Sequence, residues 1–268
     1  MKRHMLQLRQ PQLATLTLAL LTSVGAQAFE IDTGNPEFKV RWDNSFKYSS
    51  AARIAKPSAG LTRTTFGPTG VVGANVLNQD DGDNNFSRGI VSNRLDLLSE
   101  LDASYGNFGG RISAAAWYDA YYNRGNQNTS TSANHVPRNE FPDETRKIMG
   151  RKAELLDAFV FGKFELGDRP ATVRLGRHTL LWGESLFFGA NGIAGGMAPL
   201  DLVKLLSVPN SQFKEIGRPT GKLSAQVQLS TDLTFGAYIP YEWKKTRLVP
   251  VGAYLSGSDS LGDRKSVV

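Results

Sequence analysis

An alternation of apolar and polar residues over residues 38–48 most constrains how this chain can fold. The residues of the two parities are Phe38, Val40, Trp42, Phe46 and Tyr48 against Lys39, Arg41, Asp43, Ser45 and Lys47. Because successive side chains of a β-strand point to opposite faces, one face of this segment is apolar and aromatic and the other is charged. The pattern therefore predicts a strand with two chemically different faces.

Six further segments alternate with less contrast, at about 89–105, 108–122, 153–166, 171–181, 219–229 and 232–243. In the segment 153–166 the alternate positions that are apolar are Leu156, Ala158, Val160 and Phe164. A strand of a soluble protein usually has about five or six residues, whereas a tilted strand that crosses a membrane needs about nine to eleven. Most of the seven segments are long enough to cross, so we expect seven membrane-length strands.

The connections between these segments alternate in length. Long stretches at about 50–88, 123–152 and 182–218 alternate with short turns at 106–107, 167–170 and 230–231. Outer-membrane barrels have short periplasmic turns, long outer loops and an aromatic girdle at each end. The pattern predicts an antiparallel outer-membrane β-barrel whose girdles include Tyr48, Tyr105, Phe108, Tyr118 and Tyr122. The alternative explanation for the aromatics is that they are common in all strands.

The N-terminus has the three-part pattern of a secretory signal. Lys2, Arg3 and Arg9 are basic, residues 13–24 are apolar, and small residues lead up to Ala28. The apolar run is short for a membrane anchor, which needs roughly 20 residues. We expect cleavage after Ala28, which leaves residues 29–268 as the barrel domain. Because residues 1–28 contain three basic residues and no acidic one, the net charge falls from +6 to +3, which removes the main support for nucleic-acid binding.

Composition excludes several kinds of site. The chain contains no cysteine, which rules out disulfides, thiolate zinc sites, iron–sulfur clusters and cysteine nucleophiles. After residue 28 no apolar run approaches the length of a membrane helix. His135 and His178 are far apart and lack metal-ligand spacing. We therefore expect strands rather than helices in the membrane, and no metal site built on histidine.

Seven strands do not make a closed barrel, because single-chain bacterial barrels have an even number of strands. An open sheet within a bilayer leaves backbone groups unpaired, each at a cost of several kcal/mol. We therefore expect this chain to be the incomplete N-terminal part of a larger barrel, either a truncated gene product or a fragment. Missing C-terminal strands or further chains would then close it.

Several motifs occur in one order along the chain, namely residues 78–86 (NQDDGDNNF), residues 117–119 (WYD), residues 175–185 (LGRHTLLWGES) and residues 238–243 (YIPYEW). In these motifs, and over nearly all of its length after residue 28, the chain resembles a Gram-negative bacterial family described as domain of unknown function 1302. The resemblance implies an outer-membrane protein whose relatives are considerably longer. Some members resemble partners in the export or uptake of hydrophobic compounds such as steroids or lipids. The resemblance implies no catalytic residue.

The charged parity of the strands would face the lumen of such a barrel. Positive and negative residues balance on it, so we expect no ion preference of the kind that rings of one sign produce. Aromatic residues of this parity offer an apolar path for a solute, and the alternative is core packing beneath a plug. The candidate lumen residues are Lys39, Arg41, Arg94, Arg111, Trp117, Asp119, Phe159, Phe161, Arg174 and His178.

Two connections carry further candidates. Asp80, Asp81 and Asp83 lie in a run of carboxylate and amide oxygens, which are ligands for Ca²⁺, although the spacing is not that of an EF-hand and such residues also favour turns. We expect no other cofactor. The insert at 182–218 is rich in glycine and contains a predicted short helix after Pro199. It lacks the G-x-G-x-x-G of a nucleotide site, and it either folds into the lumen and constricts it or packs on the rim.

These observations favour an outer-membrane channel or transport component for small molecules, including hydrophobic ones. We expect export through the inner membrane, contact with the bilayer and outer-membrane lipids, and no nucleic-acid partner. An outer-membrane hydrolase is one alternative, but Ser185 lacks the glycine two places on that a nucleophile elbow needs, and we expect no catalytic residue. The other alternative is a soluble, secreted all-β binding domain.

Overall fold

One antiparallel sheet of eight strands dominates the computed structural model, which describes residues 18–58, 62, 81–130, 133, 135–183, 196–257 and 259. The strands are β1 (Leu18–Ile31), β2 (Phe38–Arg53), β3 (Gly89–Tyr105), β4 (Phe108–Asp119), β5 (Arg151–Glu165), β6 (Pro170–His178), β7 (Thr220–Gln228) and β8 (Thr234–Pro240). The described helices are α1 (Asp81–Asn84), α2 (Asp143–Thr145), α3 (Leu202–Ser207) and α4 (Phe213–Ile216), with a π-helical turn at Arg146–Gly150. Within the described part of the chain, no helix is long and apolar enough to cross a membrane.

The connections alternate between short and long, as the sequence predicts. Each strand pairs with the next in the order β1 to β8, so successive connections leave opposite ends of the strands. Gly106, in the two-residue turn from β3 to β4, has a φ of +52°, where a glycine avoids the steric cost of a Cβ atom. The long connections, at residues 54–88, 120–150 and 179–219, all leave the strands at the other end. This arrangement confirms the predicted all-β, antiparallel sheet.

The sheet has one strand more than the seven predicted. Strand β1 begins at Leu18, within the segment that the sequence analysis assigned to a secretory signal, and it pairs with β2 from Leu18 opposite Ala52 to Ile31 opposite Val40. The apolar run was interpreted as the core of a signal, but the same residues fit beside β2, whose backbone groups need a partner along this edge. Cleavage after Ala28 stays a prediction.

In a soluble protein the apolar face of a sheet is usually buried and the polar face exposed, whereas here the exposure of the two faces is reversed. Trp42 is 47% exposed and Ile112 57% exposed on the apolar face. On the other face the side chains of Arg94 and Asp119 are only 1% exposed. The predicted alternation is therefore confirmed, and the apolar parity is the one that lies open, although burying apolar area is favourable in water.

A bulge in β5 corrects the predicted parity of that strand. Ile112 lies opposite Ala158 but Ala114 lies opposite Leu155, so two residues of β5 face the single residue Ser113 of β4. The extra residue turns Leu156 towards the polar face, where it packs against Leu98 and Ala115, and it leaves Leu155 on the apolar face. The assignment of Leu156 to the apolar parity was wrong because one extra residue exchanges the faces beyond it.

An aromatic cluster covers the end of the sheet from which the long connections leave. Phe86 is stacked on Tyr121, with ring centroids 5.0 Å apart, and it also contacts Tyr122, Phe141 and Tyr254. We call this group the aromatic cap. Tyr122 is 1% exposed, so its predicted place in an outward girdle was wrong. Strand β4 ends at Asp119, and the chain after it turns inward rather than continuing the alternation.

Candidate functional site

The polar face of the sheet, with the segments that lie over it, holds most of the buried charge in the described structure. All ten candidate lumen residues lie on this face, because the cross-strand register links their rows. Arg94 of β3 is opposite Asp119 of β4, and Arg111 of β4 is opposite Phe159 of β5. Lys39 and Arg41 are exposed near the beginning of β2, whereas Trp117 and His178 are buried. The shared face is confirmed, and its role as a lumen stays a prediction.

The Trp117 side chain is the centre of a cluster of cations. Arg94 lies 5.0 Å, Lys204 5.1 Å and Arg247 5.5 Å from the centroid of its ring. The Trp117 Nε1–H donates to the carbonyl oxygen of Ile148 at 2.8 Å. A cation over the face of a tryptophan ring is attracted to the negative potential of that face. The indole therefore fixes three positive side chains that come from β3, α3 and the segment after β8.

Carboxylates compensate two of these cations directly. The Arg94 Nε and Nη2 atoms both donate to the carboxylate of Asp96, at 2.8 and 2.7 Å. Arg247 Nη1 donates to Asp201 at 2.6 Å, and Arg247 Nη2 donates to Glu154 at 2.5 Å. These are charge-assisted hydrogen bonds of the strong, bidentate kind. Burial lowers the pKa of the Lys204 ammonium below its usual range, although Asp96 and Asp201 oppose the shift.

The described part of the insert lies over the polar face. Lys47 of β2 donates to Glu215 of α4 at 2.9 Å, and Lys214 of α4 donates to Glu100 of β3 at 2.5 Å. Asp201 caps α3 by accepting from the backbone N–H of Lys204 at 3.1 Å. The two ion pairs hold α4 against β2 and β3, and the Asp201 cap fixes the first turn of α3. The glycine-rich stretch of the insert before residue 196 lies outside the described residues.

Helix α3 separates two cavities. One has a volume of about 300 Å³, and its wall combines the charged residues Lys47, Asp96, Lys204 and Glu215 with apolar surface. The other, of about 240 Å³, has a mainly apolar wall to which Tyr122, Met149, Leu206 and Tyr254 contribute, together with Arg94 and Asp119. The Arg94 Nη1 atom is buried without a hydrogen-bond partner among the described residues. The space over the polar face can therefore accept small groups that have both polar and apolar surface.

A serine and a histidine meet on β6 and β7. His178 Nε2 lies 2.8 Å from Ser224 Oγ, and His178 Nδ1 lies 3.1 Å from the carbonyl oxygen of Gly176. A proton on Nδ1 donates to that carbonyl and leaves Nε2 to accept from the serine hydroxyl. The side chains are 1% and 4% exposed, respectively. The pair was not predicted from the sequence. Alternation places His178 and Ser224 on one face, but it does not show that the imidazole turns back along β6 to reach Ser224.

The predicted calcium run is engaged in hydrogen bonds where it is described. Asp81 is buried and accepts from Asn128 Nδ2 at 3.1 Å, and Asp83 pairs with Arg53 at 2.5 Å. Asp80 lies outside the described residues. Among the residues with described positions, no three histidine or acidic side chains converge as metal ligands. The described part of the run thus ties the aromatic cap to the end of β2, and calcium binding stays a prediction.

Fold and site together define an all-β protein with an exposed apolar face and a charged face that its own loops cover. The chain belongs to the family described as protein of unknown function (DUF1302), whose family model matches residues 9–268. This match confirms the resemblance drawn from the sequence motifs. Comparison with curated proteins and comparison with solved structures each found no match.

Proposed function

We propose that this chain forms part of the wall of an outer-membrane β-barrel and acts as a channel or transport component for small molecules. One observation carries the proposal. The apolar face of the sheet, with Trp42, Val160 and Phe235 between 47% and 61% exposed, is open, while much of the charged face, including Arg94 and Asp119, is buried. Such a surface is costly in water but suits the hydrocarbon of a bilayer, and the strand lengths fit a crossing.

The mechanism of passage would depend on the segments over the polar face. Helix α4 is held there by the pairs Lys47–Glu215 and Lys214–Glu100, and cavities remain on both sides of α3. A solute that enters from the long loops would meet one of these two cavities before it reaches the short-turn end. The insert thus fits the constricting alternative better than packing on the rim.

Brominated lipids test the membrane assignment. Two full-length variants would each keep one tryptophan, Trp42 or Trp117, with the other three changed to phenylalanine. The chain would be reconstituted in vesicles whose acyl chains carry bromine, which quenches indole fluorescence on contact. We expect strong quenching of Trp42, on the open face, and little of Trp117, which is 5% exposed on the other face. Equal quenching of both, or greater quenching of Trp117, would contradict the proposal.

Single-channel conductance tests the transport assignment. Deletion of residues 186–212 removes α3 and the residues that line both cavities from that side. We expect a larger conductance than that of the intact chain, since the insert covers the polar face. An unchanged conductance would show that the insert does not constrict a path.

A hydrolase is the second candidate, favoured by the hydrogen bond between Ser224 and His178. A nucleophile within reach of a base that a third group orients is the usual arrangement in covalent catalysis. Incubation of the full chain with a fluorophosphonate probe would label Ser224 if it is activated, and Ser224→Ala would abolish the label. Absence of label on the intact protein would exclude this candidate for the pair.

A further inference from the structure

The cations of the polar face form ion pairs in one part of the sheet and not in another. On β2 to β4 every cation of this face except the exposed Lys39 has a carboxylate partner, as in the pairs Arg94–Asp96 and Arg111–Asp102. On β5 to β7 three cations of the same face, Lys163, Arg174 and Lys222, make no ion pair with any residue in the described part of the chain. The balance of signs counted along the sequence therefore conceals an unequal distribution in space.

The three unpaired cations form a diagonal row, which we call the cation row. Phe161 of β5 lies opposite Arg174 of β6, which places Lys163 one diagonal step from Arg174 on the same face. Arg174 lies opposite Ser224 of β7, and Lys222 is the next residue of that strand on the same face. Diagonal neighbours across adjacent strands are about 7–8 Å apart, within the reach of long side chains. One anionic group can therefore contact two of these cations at once.

Lys222 is the most unusual member of the row. It is 1% exposed, and its Nζ atom has no hydrogen-bond partner among the residues whose positions are described. Its neighbour Ser224 already bonds to His178. A buried charge without a partner is costly, and natural proteins normally pair it. The flexible four-carbon stem of a lysine allows the ammonium to turn towards Arg174, which is exposed.

Aromatic rings lie between the cations. The Arg174 guanidinium lies 5.7 Å from the Phe159 ring centroid, and Lys163 Nζ lies 6.0 Å from that of Phe161. Two carboxylates lie on the same face of β5 as Lys163. Glu165 makes no ion pair with the cation row in the described structure, and Asp157 is hydrogen-bonded to Ser113 in the bulge. The row thus offers positive charge and apolar ring surface side by side.

We infer that the cation row binds the negative group of a small organic acid, with Phe159 and Phe161 in contact with the apolar part of the same molecule. The inference goes beyond the proposed function, because binding at the row requires neither passage nor a membrane. It also specifies a solute chemistry, since cations along a path favour anions.

Equilibrium dialysis of the intact full-length chain in detergent against radiolabelled benzoate tests the inference. The test variant is the double substitution Arg174→Gln and Lys222→Met, which removes two charges and keeps similar side-chain lengths. The matched control is Lys39→Gln with Arg41→Gln, which removes two charges from the same face at β2. Far-UV circular dichroism on each variant verifies that the sheet is intact.

We expect saturable binding of benzoate, weakened about tenfold or more in the test variant and unchanged in the control, since a hydrogen bond to a charged group contributes that much. The neutral analogue benzamide should bind the intact chain more weakly than benzoate. No saturable binding, equal weakening by both double substitutions, or equal binding of benzamide would overturn the inference. None of these results depends on whether the chain conducts or enters a bilayer.

Discussion

The polar face of the sheet has two halves that handle charge in opposite ways. Over β2 to β4 and the beginning of β5, the insert and the segment around Arg247 supply both signs, and they complete pairs such as Glu100–Lys214 and Glu154–Arg247. Over the end of β5, β6 and β7, no carboxylate pairs with Lys163, Arg174 or Lys222 in the described structure. The comparison suggests that the first half is built to hold its covering segments in place, while the second half keeps its cations available.

The strongest test of this comparison is Arg247→Met against Arg174→Met. The Arg247 side chain is 5% exposed, and its loss leaves the buried Asp201 without its ion-pair partner and Glu154 with only Lys152, at 3.9 Å. Breaking a buried pair in this way costs about 3–5 kcal/mol of the free energy of unfolding. Arg174 is exposed and unpaired, so its substitution should cost less than about 0.5 kcal/mol. Denaturant unfolding followed by tryptophan fluorescence measures both, and similar losses would refute the difference between the halves.

A smaller effect is expected from Glu100→Gln. The side chain of Glu100 is 8% exposed and accepts from Lys214 of α4, with Arg111 at 3.7 Å. Loss of its charge weakens the hold on α4 by about 1–3 kcal/mol. The control is Glu165→Gln on the same face of β5, where the carboxylate is exposed and the change should be within about 0.5 kcal/mol. Protease sensitivity of residues 208–217 reports detachment of α4, and resistance as great as that of the intact chain would count against the role of this pair.

The smallest effect concerns the aromatic cap at alkaline pH. Burial raises the pKa of the Tyr121 phenol and, more strongly, that of Tyr122. A raised folded-state pKa means that the contribution to stability is complete below about pH 10, the value in an unfolded chain, and is lost as the pH rises further. Near-ultraviolet circular dichroism between pH 8 and 11 should therefore show loosening of the cap above pH 10. Tyr122→Phe should reduce this loss, whereas Tyr105→Phe, at an exposed position, should not change it.

Most of the sheet follows from alternation in the sequence. The segment 89–105 was predicted with the bounds that β3 has, and the other predicted strands differ from the observed ones by a few residues at their ends. Alternation succeeds there because each strand separates two faces of different polarity. It fails at Leu156, where a bulge exchanges the faces, and at Tyr122, which lies beyond the end of its strand.

The candidate site was only partly predictable from the sequence, because several of its residues come from connections that have no repeating pattern of apolar and polar positions. Trp117 and Arg94 could be assigned to one face by parity, and the structure bears this out. The third cation at the indole, Arg247, lies beyond the last predicted strand, and its contact with Asp201 depends on how two irregular segments meet. The cation row was hidden for a related reason. A count of charges along the chain does not say which cation lies beside which acid.

The bulge in β5 also determines where a residue can be deleted from a strand without turning the remaining side chains to the opposite face. Two residues of β5 already face one residue of β4, so removal of Leu156 would restore regular pairing with Ser113 and leave both ends of the strand facing as before. Between Arg94 and Tyr105, strand β3 pairs with both β2 and β4 without any such irregularity, and removal of one residue there would turn the side chains on one side of the deletion to the opposite face. Loss of one residue should therefore be tolerated at the bulge of β5 and should destabilise the sheet in this part of β3.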